Sequence, residues 1–190
     1  MLENFFLIWT VTHLMVLGIG FGVGLAAGLK IPIVGDAIAM LLVGLLLMLS
    51  EFYILNAHID TSTDWLLYSF IGLILGVGAS FVFILITTRR FGLKNSHIFS
   101  FPISLLVIAT FQTLVLRDQF DNLIIWPFIS MLSLFIASLI LYIINNKYNL
   151  AMRLLANRKP EYNKIPIWIF TGSVLGLIYG MITGYFLTKK

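Results

Sequence analysis

The chain contains no cysteine. That excludes disulfides, thiolate nucleophiles and thiolate-held clusters, and it leaves the compartment open. Charge is almost as scarce. Asp, Glu, Lys and Arg together make 11% of the residues, where soluble domains carry about 25%. No Gly-x-Ser-x-Gly, H-E-x-x-H or aspartate-rich phosphotransferase pattern occurs. Gly18, Gly20, Gly22 and Gly24 alternate inside an apolar run, with neither the preceding strand nor the spacing of a dinucleotide-binding loop.

What fills the sequence instead is apolar. Hydrophobic residues make 60% of it, more than a soluble globule of 190 residues could hide. The expected fold class is an all-α integral membrane protein, a single polytopic domain over residues 1–190. Six runs approach the ~20 residues that cross a hydrocarbon core. They are Phe5–Leu29, Ala37–Asn56, Leu66–Thr88, Ile98–Leu116, Leu123–Ile144 and Ile165–Leu187. Six spans leave little length in this chain for a soluble domain. The first break, Lys30 to Asp36, holds Pro32 and Gly35 and reads as a turn or a re-entrant excursion. Met1 to Phe6 lacks a basic region and a small-residue cleavage site, so it reads as the start of a retained span rather than a secretory signal.

The formal net charge of +4 resides in short loops, where it sets topology and meets anionic headgroups; it does not point to nucleic acid. Lys30, Arg89, Arg90, Lys94, Lys147, Arg153, Arg158, Lys159 and Lys164 fall on one side of a six-span chain. Arg117, Lys189 and Lys190 fall on the other. The first side is expected to be cytoplasmic, in a cell membrane, with both termini non-cytoplasmic. Trp9, Trp65 and Trp126 then share the outer boundary, as indoles at a membrane interface would, with Trp168 at the opposite one.

Phe70, Gly72, Leu75 and Gly76 match Phe170, Gly172, Leu175 and Gly176, and Thr88-Arg89-Arg90 follows as Thr188-Lys189-Lys190. A shorter echo pairs Tyr53-Ile-Leu-Asn56 with Tyr142-Ile-Ile-Asn145. Two three-span halves, 1–90 and 91–190, would be inverted repeats of the transporter kind; chance recurrence of Gly and Leu is the alternative. Gly172, Gly176, Gly180 and Gly184 are spaced four apart, and Gly72 and Gly76 likewise. Such stripes let two helices approach closely, for tight packing or for a sliding interface.

Few ionisable residues interrupt the apolar runs. His13 and Glu51 both fall roughly 10 Å inside the outer boundary. A charge in hydrocarbon is costly and suggests function. His13 and Glu51, with Gln112 on the same side, form the candidate substrate or proton site. The alternative has Glu51 snorkelling outward while His13 bonds a backbone carbonyl. His58, Asp60, Asp64, Arg117, Asp118 and Asp121 fit no metal-ligand spacing and read as solvated loop charge. No metal or cofactor is expected. Residues 145–164 interleave Tyr148, Leu150, Leu154 and Leu155 with basic residues. That suits an interfacial helix on the lipid bilayer, or a dock for a cytoplasmic or membrane protein partner. Pro102 and Pro127 fall inside spans and are expected to kink them. Three functions remain open. The chain is a small-solute transporter or a transporter's membrane subunit, or an intramembrane enzyme acting on a lipid or lipid-linked substrate at the outer face, or a non-catalytic regulatory membrane protein. Nothing identifies a catalytic residue.

Overall fold

The computed structural model describes residues 2–28, 32–58, 62–91, 93–117, 123–148 and 165–188. These form six α-helices: α1 (Leu2–Gly28), α2 (Pro32–Asn56), α3 (Asp64–Phe91), α4 (Leu93–Leu116), α5 (Trp126–Tyr148) and α6 (Ile165–Thr188). A 3₁₀ turn, Leu123–Ile125, leads into α5, and no strand occurs among the described residues. Four helices hold apolar stretches long enough to cross a membrane: Asn4–Val23, Asp64–Thr87, Leu123–Ile140 and Trp168–Thr188. Helices α2 and α4 contribute the shorter stretches Met40–Asn56 and Ser100–Leu116.

Helix ends refine the sequence expectation at several points. Helix α2 begins at Pro32, where proline's missing N–H would have had no helical partner anyway, so Gly35 and Asp36 are helical rather than part of a turn. Pro127 occupies the second position of α5, in its first turn, and the span kink expected there does not arise. Pro102 does lie inside α4. Ser62 opens α3: its hydroxyl accepts the Asp64 N–H at 3.1 Å, satisfying one donor of the exposed first turn. Asn145 to Tyr148 complete α5, and the rest of the expected 145–164 segment lies outside the described residues.

The side chains are turned inside out relative to a soluble protein. Leu7, Ile8, Val11, Met15 and Ile19 on α1, Leu85 and Ile86 on α3, and Phe128 and Leu132 on α5 are exposed. His13, Glu51, Ser69, Gln112 and Thr183 are buried. Apolar surroundings favour this distribution, because hydrocarbon can solvate leucine but cannot satisfy a hydrogen-bonding group.

Helix order around the bundle follows the chain. Each helix packs on its sequence neighbours, and α6 closes back on α1. The α1–α6 and α3–α4 contacts are the most extensive, and α2–α3 is the slightest of the six. Glycine explains the difference. A β-carbon on Gly176 would collide with the backbone of His13 and Leu14, and one on Gly180 would lie 2.9 Å from Thr10 Cα. A β-carbon on Gly172 would meet Leu17 backbone, and one on Gly184 the Trp9 ring. The whole α6 stripe therefore abuts α1. Gly72 and Gly76 do the same for α4, against Ile108 and Ser104.

The buried apolar residues form one cluster at the end bearing the termini of α1 and α6, and two clusters further in. The end cluster contains Phe5, Trp9, Ile54, Leu55, Trp65, Leu116, Leu123, Trp126 and Leu187. Trp9, Trp65 and Trp126 share an end as expected, but they are 1–3% exposed and turn into the bundle. They plug the helix ring instead of facing headgroups. Trp168 is partly exposed and stacks on Phe21.

Candidate functional site

On α1, Phe5, Trp9, His13, Leu17 and Phe21 recur every four residues and are all buried. That spacing follows one face of a helix, so His13 lies one turn beyond Trp9 on the inner stripe. On α2, Met40, Val43, Leu47, Met48, Glu51, Ile54 and Leu55 are buried, mostly at three- and four-residue steps, and Glu51 occupies a core position of that face. On α4, Ser100, Ser104, Ala109, Gln112 and Leu116 turn inward. Three polar groups from three helices thus reach one point in the ring.

There they bond to one another. His13 Nδ1 lies 2.7 Å from the Trp9 carbonyl oxygen, and His13 Nε2 lies 3.0 Å from Glu51 Oε1. Gln112 donates its amide N–H to Glu51 Oε2 at 3.0 Å. Trp126 in turn directs its indole N–H at Gln112 Oε1 over a long 3.4 Å. Trp9 donates its indole N–H to Thr183 Oγ1 at 2.9 Å, and Thr183 donates to the Tyr179 carbonyl. The Tyr179 ring lies 5.1 Å from the His13 ring. The connected groups come from α1, α2, α4, α5 and α6.

The partners fix the proton inventory. A carbonyl only accepts, so His13 Nδ1 carries a hydrogen. An indole only donates, so Gln112 presents oxygen to Trp126 and nitrogen to Glu51. Between His13 Nε2 and Glu51 Oε1 one hydrogen remains to be placed, because a bare imidazole lone pair and a carboxylate would repel at that distance. The pair shares that proton, either as imidazolium and carboxylate or as imidazole and carboxylic acid. Both arrangements are neutral overall, which suits burial at 0% exposure for His13 and 4% for Glu51.

The three sequence candidates are therefore brought together. Glu51 points inward and does not snorkel, while His13 makes both the backbone bond and the carboxylate bond. Among the described loop candidates, His58 caps its own helix, with Nδ1 2.8 Å from the Ile54 carbonyl and its ring edge-on to Phe5. Asp60, Asp118 and Asp121 lie outside the described residues. No cluster of three potential metal ligands occurs among the described residues. The sequence reading missed Trp9, Thr183 and Trp126 as hydrogen-bond donors or acceptors in this network, and Ser69 beside it. Their signal was helical phase: Trp65, Ser69, Leu73, Val77 and Ser80 mark one buried face of α3.

Two cavities adjoin the network. A central one of about 40 Å³ is lined from all six helices, including Leu17, Val43, Leu73, Phe101, Leu134 and Tyr179. A smaller chamber of about 20 Å³ is lined by Glu51, Gln112 and Ser69 together with Met48. Gly44, Leu47, Leu73, Leu105 and Ile108 belong to both walls. Comparison with family models, curated proteins and solved structures finds no match for this chain.

Proposed function

We propose that the protein is a multi-pass membrane carrier for a small solute, or the membrane-embedded subunit of one, with Glu51 and His13 as its proton-sensitive centre. The observation behind this reading is the His13–Glu51 pair, buried between helices, with Glu51 on the wall of a small chamber whose lining continues into a central cavity that all six helices line. With its proton in place the pair leaves the loaded site neutral, so a neutral solute bound beside it can be carried together with that proton. An intramembrane enzyme at the outer face is less well supported. No nucleophile accompanies the His13–Glu51 pair in its hydrogen bonds, and the indole plug covers the end at which an outer-face substrate would arrive. A purely regulatory role leaves the polar network without a use.

Proteoliposomes containing an internal pH indicator test the reading. They are offered small alcohols, amides, amines, sugars and amino acids one at a time. At least one solute is expected to evoke a proton flux in the wild type that Glu51→Gln abolishes at matched incorporation. The introduced amide could donate to neutral His13 Nε2 and accept from Gln112, so the fold is kept while the titrating group is lost. Absence of any Glu51-dependent flux across the panel would overturn the carrier reading. Recovery of a chemically altered solute would favour the enzyme.

Six spans in a cell membrane, with both termini non-cytoplasmic, complete the proposal. The nine basic residues against three support that orientation. Asn95→Cys and Asn157→Cys, made singly, are expected to resist an impermeant thiol reagent in intact cells. Labelling of both would reverse the orientation, and labelling of one would change the span count. The two halves 1–90 and 91–190 gain no support from helix order. Inverted three-helix repeats wind in opposite senses seen from one face, whereas a ring that follows the chain winds in one. The interfacial or partner-binding role of 145–164 rests on its basic and apolar pattern alone.

A further inference from the structure

The small chamber contains a polar group that the network does not use. Ser69 is 0% exposed, and its hydroxyl has no hydrogen-bond partner. Thr10 and Trp65 also hold unpartnered buried atoms, but they line neither cavity. Ser69 lines the chamber together with Glu51 and Gln112. Each of those has capacity left over. The Glu51 carboxyl takes part in two bonds and has lone pairs left over, and the Gln112 amide uses one of its two N–H groups toward Glu51. An unpaired buried hydroxyl is unfavourable unless something in the chamber satisfies it.

We propose that the chamber and the central cavity together bind a small neutral amphiphile with a hydroxyl head. The head group donates to Glu51 and accepts from Ser69 or Gln112, which one hydroxyl can do at once. Its short apolar body lies in the central cavity, whose walls are almost wholly hydrocarbon and whose lining residues continue from the chamber. The chamber's volume suits one head group of about the size of water. An ammonium head fits less well. The His13–Glu51 pair is already neutral with its shared proton, so a cation beside it would stand unpaired in a buried site. This assignment rests on the carrier reading for its purpose, but not for its test.

The test is photolabelling of the purified full chain in nanodiscs with a diazirine-bearing analogue of 1-propanol, a chain short enough for a cavity of about 40 Å³, mapped by mass spectrometry. Adducts are expected on Leu47, Ser69, Leu73 and Leu105. Free 1-propanol should compete, and propane and propylammonium should not. Ser69→Ala should bind about tenfold more weakly, the loss of roughly one hydrogen bond. Without ligand it should be as thermally stable as the wild type, because the hydroxyl it removes has no partner. Ser80→Ala is the control: Ser80 donates to the Ser100 carbonyl at 2.6 Å and lines neither cavity, so labelling should persist. Adducts confined to the outer surface, equal competition by propane, or destabilisation by Ser69→Ala would each overturn the proposal. Labelling without proton flux would refute the carrier and leave the site. Flux with another solute and no labelling would do the reverse.

Discussion

The α1–α6 seam and the α2–α3 seam are built from similar residues and behave as opposites. At the first, glycine brings two backbones together, and the atoms beside Gly172, Gly176 and Gly180 are largely main chain. At the second, the atoms nearest an added β-carbon of Gly44 belong to the side chain of Leu73, and the cavities lie alongside. Main chain cannot rotate out of the way, whereas a leucine can. The site is split across this contrast. His13 belongs to the rigid seam and is tied to its own helix through Trp9. Glu51 belongs to the helix that packs loosely on α3. A membrane protein with no hydrophobic drive between helices can thus set stiffness locally, by choosing where backbones touch.

The largest effect should come from forcing a side chain into the rigid seam. Gly176→Leu is expected to cost more than about 3 kcal/mol, at or beyond the usual range for overpacking, and to abolish the folded protein in detergent. Leu177→Phe, at the adjacent exposed position, should leave the melting temperature unchanged. Equal melting temperatures for the two variants would erase the contrast between seams.

Next in size is the link between the two seams. Glu51→Ala strands both His13 Nε2 and the Gln112 amide, and is expected to destabilise by about 3–5 kcal/mol, as for a buried pair that loses one member. Glu51→Gln should stay within about 1 kcal/mol, since both bonds can be remade. Thermal unfolding in matched detergent measures both. If Glu51→Ala proved as mild as Glu51→Gln, the hydrogen bonds across the bundle would contribute nothing to holding it.

The smallest effect belongs to the loose seam. Gly44→Ala places a methyl against Leu73, which has cavity space to turn into. A change within about 1 kcal/mol is expected, by the same thermal measurement. A loss as large as that of Gly176→Leu would show that both seams are rigid.

Sequence alone disclosed the six helices of the described residues, most of them close to their observed limits, because run length and polar breaks are direct signals in so apolar a chain. It also singled out His13, Glu51 and Gln112, since an ionisable or amide group in hydrocarbon stands out without any structural knowledge. Orientation was harder to read. A helix that is apolar all round has almost no preferred face, so nothing declared that Trp9, Trp65 and Trp126 turn inward. The faces are written instead in small and polar residues: Ser69 and Ser80 on α3, Ser100 and Ser104 on α4, and the glycines of α6. Helix order was not legible either, and the Phe70–Gly76 match suggested an arrangement that the closed ring does not favour. The chamber beside Glu51 lay beyond reach, because it depends on volumes left between helices that are distant in sequence.

The position of Glu51 along α2 has an electrical consequence. It stands five residues from the Asn56 end and nineteen from the Pro32 end, about 7.5 Å against about 28 Å along the helix axis. If α2 spans a bilayer over its whole length, as the proposed six-span arrangement has it, a proton reaching Glu51 past the indole plug would cross only a thin slice of the transmembrane field. One arriving from the Pro32 end would cross roughly four-fifths of it, so 100 mV would bias occupancy by about 1.8 kcal/mol, close to twentyfold. The voltage sensitivity of any Glu51-dependent current therefore reports which compartment the site is open to when it loads.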